Sequence, residues 1–210
     1  RENGARFLVP LREGQKTGWF YDHRENRAGL RRYVPGKRVL DVFSYVGGWG
    51  VQAARGGAAS VTCVDSSAPA LELVRHNAEL NDVADRVTTL QGDAFDALRQ
   101  LREAGERFDV IVLDPPAFIK RRKDVKQGEK AYQRVNRQAL ELLAPGGVLV
   151  SASCSFHLSR DALLGAMLRA SRELGRDLQI LEEGHQAPDH PIHPAIPETA
   201  YLKAFAAISG

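Results

Sequence analysis

Arg38-Val39-Leu40-Asp41-Val42-Phe43-Ser44-Tyr45-Val46-Gly47-Gly48-Trp49-Gly50 is the stretch that decides the fold. Its first half is an apolar run of strand length. Its second half is a glycine cluster where a strand hands over to a helix, and glycine there lets a ligand approach the backbone closely. The same alternation repeats downstream. Residues 38–43, 60–65, 87–91, 108–114 and 147–153 read as strands, and 51–55, 68–81, 94–104 and 132–143 carry apolar residues at helical spacing. Strand, helix, strand in repetition implies an α/β domain built on a parallel sheet with right-handed crossovers.

Outward from that core, residues 160–174 predict one more helix. Two apolar runs, 178–183 and 202–208, flank the Pro- and His-rich stretch 186–197 and are expected to pair at the sheet edge. The start is different in kind. Residues 6–11 and 15–20 flank Arg12-Glu13-Gly14 and predict a β-hairpin, and a basic helix over 24–33 follows. The expected organisation is an N-terminal hairpin and basic helix over 1–36 that contribute to the site, then the α/β domain over 37–210.

Composition bounds the rest. A chain of 210 residues, 43% hydrophobic and 26% charged, suits one globular domain with a sizeable core. No apolar run approaches membrane-spanning length and the first residues lack the pattern of a secretion signal, so the expected location is the cytoplasm, with no membrane partner. The start without Met reads as a piece of a longer chain. Net charge is +3 with pI near 9.0, and basic clusters at Arg31-Arg32 and over 120–126 suit a polyanion. Cys63 and Cys154 suggest no disulfide framework, and His185, His190 and His193 lack a zinc spacing, so no metal is expected.

Three acidic residues fall at successive strand ends. Asp41 precedes the glycines; Asp65 closes the second strand, where a carboxylate can accept from both ribose hydroxyls; Asp93, in Gly92-Asp93-Ala94, falls near the position of an adenine amino group. The turn adds Ser44, Gly47 and Gly48. Its glycines do not follow the G-x-G-x-x-G order that serves a pyrophosphate, and no G-K-[ST] follows them. S-adenosylmethionine, with a sulfonium and an ammonium in place of a pyrophosphate, fits an acidic residue ahead of the glycines.

Strand four runs into Asp114-Pro115-Pro116-Ala117-Phe118. Prolines stiffen that exit and delay the next helix, which leaves Asp114 beside the transferred group, while Phe118 either stacks on a base or covers the core. Strand five ends in Ser151-Ala152-Ser153-Cys154-Ser155. Cys63, inside a strand, reads as core filler. Cys154 follows its strand and a thiolate is the readiest side-chain nucleophile near neutral pH. Carbon 5 of a pyrimidine becomes nucleophilic after thiolate attack at carbon 6, with a protonated or hydrogen-bonded Asp114 stabilising charge at N3, on a base that is single-stranded or flipped out.

Lys16-Thr17-Gly18-Trp19-Phe20-Tyr21-Asp22-His23-Arg24, residues 39–50, Asp114-Pro115-Pro116-Ala117-Phe118, Ser153-Cys154-Ser155 and Asp189-His190-Pro191 together resemble the bacterial 23S ribosomal RNA cytosine-5 methyltransferase family, over nearly the whole chain. The resemblance implies a Rossmann-like class I methyltransferase with a seven-stranded, mostly parallel sheet whose last strand is antiparallel. It implies cofactor contacts from Phe20, Asp65 and Asp93, Cys154 as nucleophile, ribosomal RNA as partner, and an RNA-binding PUA domain ahead of this one. The sequence departs from the wider group of RNA cytosine-5 enzymes at Ala117, where many carry a second cysteine.

Further substrate contacts are expected from Arg24, Lys120 and His190. Arg24, Arg27, Arg31 and Arg32 recur at helical spacing and either hold phosphates or form a solvated face. The stretch 120–130 reads as a mobile RNA-binding loop because of its charge and Gly128. Two other readings stand: a purine-nitrogen methyltransferase (guanine N7 or adenine N6) that gives Cys154 no work, and a non-catalytic RNA- or nucleoside-binding module. Assembly into a homo-oligomer is left open.

Overall fold

A computed structural model describes residues 1–10 and 18–210. Seven strands form one sheet: β1 Arg38–Val42, β2 Ser60–Asp65, β3 Val87–Gln91, β4 Phe108–Leu113, β5 Leu143–Ser153, β6 Leu178–Gly184 and β7 Lys203–Ser209. Their order is β3-β2-β1-β4-β5-β7-β6. All neighbours are parallel except β7, which runs antiparallel to both β5 and β6. This is the expected Rossmann-like class I architecture, with the last two strands at the edge and β7 inserted between β5 and β6.

The central strands read as nearly continuous apolar runs because both faces are covered. On one face Leu40, Val42, Ile111, Leu113 and Leu149 pack with Tyr132 and Leu140 of α5 (Val125–Leu142) and Leu163 of α6 (Arg160–Glu173). On the other, Val39, Val61, Cys63 and Val112 pack with α2 (Gly50–Arg55) and α3 (Ala68–Leu80). Helix starts follow their caps. Ser67 and Ser159 accept from the backbone of Ala70 and Ala162, and Asp93 caps α4 (Ala94–Glu103) by accepting from Phe95 and Asp96.

The N-terminal part departs from expectation. The turn of the predicted hairpin lies within 11–17, outside the described residues. Its first arm, where described, forms no strand and lies along α3. There Asn77 and Asn81 replace a strand partner: Leu8 N donates to Asn77 Oδ1 (2.7 Å), Arg6 N donates to Asn81 Oδ1 (2.9 Å), and both amides donate back to the carbonyls of Leu8 and Arg6. The basic helix is short, α1 Arg24–Gly29, and continues as a 3-10 turn, Leu30–Arg32.

The stretch 120–130 is also different. Helix α5 starts at Val125, and Gly128 is buried inside it rather than in a mobile loop. A Cβ at Gly128 would lie 2.1 Å from Ile119 Cγ1, so the glycine is there for close packing. The chain starts in the middle of the sheet at β1, winds out to β3, and returns to β4 on the other side. Such a reversal leaves a crevice beyond the carboxyl ends of β1 and β4, the usual ligand position in open α/β sheets.

Candidate active site

A cavity of about 630 Å³ opens at that reversal. Its wall is made by the exits of β1 through β5 and by residues of the N-terminal segment. Of the residues read from sequence, Phe20, Ser44, Gly48, Asp65, Asp93, Asp114, Pro115, Pro116, Phe118 and Cys154 all line it. The volume falls in the range of small-molecule sites.

The β1–α2 turn is strained: Phe43 and Tyr45 both have left-handed backbones, φ +65° and +48°. Each such residue costs about 1–3 kcal/mol unless its surroundings impose it, and strain of this kind gathers at functional sites. Ser44 N donates to the carbonyl of Val64 (2.9 Å) and Tyr45 N to Asp65 Oδ2 (2.9 Å). Asp65 Oδ1 accepts from Ser67 N (2.9 Å), so the carboxylate is aimed by backbone bonds while each oxygen keeps acceptor capacity for a ligand. Ser44 Oγ is buried with no partner among the described residues. An orphaned hydroxyl and an oriented carboxylate in one cavity fit a polar nucleoside-type ligand such as S-adenosylmethionine.

Asp114 sits across the cavity. Its Oδ2 accepts from Trp49 Nε1 (3.0 Å), and Oδ1 lies 3.2 Å from His23 Nε2. Burial pushes this carboxyl up, but the His23 ring, the Trp49 N–H and Arg27 outweigh burial and hold it below the ordinary carboxylate range. Of the two states read from sequence, protonated or hydrogen-bonded, these contacts favour an ionised Asp114 that accepts hydrogen bonds. On the other side of His23, the Asn26 amide nitrogen donates to Nδ1 (3.1 Å) as well as to the carbonyl of His185 (3.1 Å).

The exits of β4 and β5 are tied together. Ser155 Oγ donates to the carbonyl of Ile119 (2.6 Å), and Tyr132 Oη shares a hydrogen bond of 2.8 Å with Ser153 Oγ. These bonds fix Cys154 relative to Asp114-Pro115-Pro116. Phe118 both lines the cavity and packs on Phe43, Phe95 and Tyr132 at centroid distances of 6.1, 6.2 and 4.9 Å, so it covers the core as well as facing the site.

Five residues read as site residues do not line the cavity. Asp41 is fully buried beneath it, where Oδ2 accepts from Gly50 N (2.8 Å) at the start of α2. Burial, together with the charges of Asp114 and Asp65, pushes its carboxyl up to about 8, against the Gly50 bond and Arg27. Its side chain lies outside the cavity, bonded to the start of α2. Gly47 serves the turn: φ is +83°, and a Cβ would come within 3.0 Å of Val51. Arg24 pairs with Asp189 (3.0 Å) and Glu25, and His190 with Asp189 (3.0 Å), both on the surface. Lys120 is exposed on the loop beyond Phe118.

The arginines over 24–33, read as either a phosphate-holding or a solvated face, each have a partner in the fold. Arg27 is buried in a bidentate pair with Glu2 (2.6 and 2.9 Å), Arg32 pairs with Glu182, and Arg31 donates to the carbonyl of Asn3. Two residues that the sequence reading missed belong to the site: His23 and Trp49. Trp49 carried a signal, a large aromatic set between Gly48 and Gly50. His23 lay inside a quoted motif, and only its reach to Asp114 marks it.

Sheet order, strained β1–α2 turn and nucleoside-sized cavity define a Rossmann-like class I methyltransferase domain. The chain belongs to the S-adenosylmethionine-dependent methyltransferase family, whose model matches residues 1–206. It is 46% identical over 203 residues to ribosomal RNA large subunit methyltransferase I of Aeromonas salmonicida, covering 96% of this chain and 51% of that protein. The protein of the same name from Klebsiella pneumoniae (strain 342) is 43% identical over 206 residues, covering 98% and 52%. The chain thus spans about half the length of these relatives. Among solved structures, SMU.776, described as a methyltransferase complexed with SAH, superposes with a TM-score of 0.88 at 28% identity, covering 99% of this chain and 54% of that one.

Proposed function

We propose that this domain methylates carbon 5 of a cytosine in RNA, of the ribosomal kind named in its relatives, through a covalent adduct on Cys154. The observation that carries the reading is the presence of Cys154 on the same cavity wall as Asp114 and the carboxylates of Asp65 and Asp93. A nitrogen methyltransferase has no use for a thiol there.

Asp65 takes the ribose hydroxyls, Asp93 the adenine edge, and Phe20, Ser44 and Gly48 complete the cofactor wall. S-adenosylmethionine, when bound, supplies an electrophilic methyl carried on a sulfonium. Asp114, ionised, accepts from the exocyclic amino group of the cytosine and sets the ring's orientation. Pro115 and Pro116 hold that carboxylate's backbone, and Phe118 closes the wall behind the base. The Cys154 thiolate forms an Sγ–C6 bond while the C5=C6 electron pair moves to C5, which then takes the methyl. Water takes the C5 proton, its C–H electron pair restores the C5=C6 bond, and the C6–Sγ pair leaves on sulfur so that the thiolate returns. A base inside a duplex hides these atoms, so the cytosine is unpaired or flipped. Lys120, and Arg122 and Lys123 in the 3-10 turn that follows, are exposed cations that meet phosphates in this reading.

The test is mass spectrometry of wild type and Cys154→Ala after incubation with S-adenosylmethionine and RNA containing 5-fluorocytidine, which blocks release of the methylated base. An adduct in wild type and none in the variant is expected. No adduct, with methylated purine appearing in unmodified RNA, would refute the reading.

A further inference from the structure

We propose that Lys203 is a positioning residue for Cys154: its ammonium pins the turn that carries the thiol and supplies the positive charge that keeps the sulfur ionised. The inference rests on reading Cys154 as the nucleophile. Register sets the geometry, because β7 pairs with β5 so that Lys203 stands opposite Ser153, the residue before Cys154. From there Nζ donates to the carbonyls of Ser155 (2.6 Å) and Leu158 (2.7 Å). Those carbonyls lie on the turn that follows Cys154, itself closed by Leu158 N donating to Ser155 O (3.1 Å). An ammonium has three N–H groups, so one remains beyond the two that clamp the turn.

Burying an ammonium is unfavourable unless something repays it. Burial lowers the Lys203 ammonium to about 8, and the Cys154 charge acts in the opposite sense, holding the proton on. Coupling between two sites is reciprocal, so the same interaction stabilises the thiolate. Other described groups that feel the Cys154 charge act differently. Tyr132 of α5 and Tyr201, just before β7, are phenols whose ionisation is raised, first by burial and in part by the Cys154 charge. Asp22, which accepts from Tyr201 Oη (2.8 Å), together with Asp114 and Asp189, brings negative charge to this region, which opposes a thiolate. His23 is engaged with Asp114. Lys203 brings positive charge to set against them.

The experiment is the pH dependence of Cys154 alkylation by iodoacetamide, read by mass spectrometry in wild type, Lys203→Gln and Lys203→Arg. Glutamine keeps an N–H donor for the turn and removes the charge. Cys63, fully buried, stays unlabelled while the protein is folded and serves as the internal control. Lys203→Gln is expected to raise the alkylation midpoint by about one pH unit and slow labelling at pH 7 roughly tenfold, with Lys203→Arg close to wild type. A folded Lys203→Gln protein with an unchanged midpoint overturns the proposal. A second arm leaves Lys203 intact: NMR titration of its Nζ in Cys154→Ala should show a lower pKa than in wild type, and an unchanged value again overturns it. The two ideas fail separately. An RNA adduct with no alkylation shift sinks Lys203 alone, whereas an alkylation shift without an adduct supports the pair and sinks the cytosine-5 reading.

Discussion

Replacing Gly128 by Ala pits two readings of the α5 start against each other with opposite signs. If Gly128 lay on a free helix face, alanine would stabilise the protein by about 1 kcal/mol through helix propensity alone. The packing says otherwise. The added Cβ would meet Ile119 Cγ1 at 2.1 Å, Cδ1 at 3.0 Å and the Phe118 carbonyl at 3.3 Å, and Ile119 is only 2% exposed, so it has nowhere to turn. Overpacking of this kind costs about 3 kcal/mol at the upper end of its range. Against a propensity gain of about 1, the net is a loss of about 2 kcal/mol. For a domain of this size that lowers Tm by roughly 4–8 °C. Thermal unfolding followed by circular dichroism checks it. Because the displaced atoms belong to the segment carrying Phe118, methyl transfer should fall as well, and Gly128→Ala combined with Ile119→Ala should be more stable than the two single losses added together. A Tm for Gly128→Ala at or above wild type would refute the argument.

Two more expectations follow from the carboxylates. Asp41 has a folded-state pKa raised to about 8 from an ordinary 3.8, so stability is fully present below the ordinary value and is lost as pH rises through the folded one. Asp41→Asn cannot ionise, and in urea titrations at acid, neutral and alkaline pH it should lose that decline; an unchanged pH slope would show Asp41 to be normally ionised. Asp65→Asn should weaken S-adenosylmethionine binding roughly tenfold or more by calorimetry, the size of one charge-assisted hydrogen bond, and an unchanged Kd would take Asp65 out of the ribose role.

The sheet was legible because its inner strands are covered on both faces: 38–43 and 108–114 are mostly apolar, broken inside the runs only by Asp41 and Asp109, and Ser67, Asp93 and Ser159 mark the helix starts in the sequence itself. The direction of each side chain at a strand end was not. Asp41 and Asp65 look equivalent in sequence, yet one is sealed under the glycine turn and the other faces the cavity, because the register puts Asp41 opposite Cys63, two residues short of Asp65. Charge is read from sequence residue by residue, whereas its meaning depends on partners. Arg27 and Arg32 look like a phosphate-binding face until Glu2 and Glu182 are brought to them, from 25 and 150 residues away. Gly128 misled for a related reason: a glycine required by a neighbour's side chain looks the same in sequence as one required for mobility.

The segment ahead of the sheet is what turns a generic crevice into this site. Glu2 accepts from Arg27, from Trp19 Nε1 (2.8 Å) and from Gln52 Nε2 (2.9 Å), and Gln52 belongs to α2, the helix that leaves the strained turn. Arg27 also lies over the Trp19 ring, 4.8 Å from its centroid. A buried ion pair of this sort adds little net stability over an apolar pair, but breaking it costs about 3–5 kcal/mol, so the segment has few alternative ways to lie on the domain. That single arrangement brings His23 against Asp114 at 3.2 Å and Trp49 against its other oxygen at 3.0 Å. The ionisation of Asp114 therefore depends on residues that precede β1. A domain trimmed to the sheet and its helices would keep the Asp65 turn and the Trp49 N–H while losing His23 and Arg27, two of the three groups that lower Asp114.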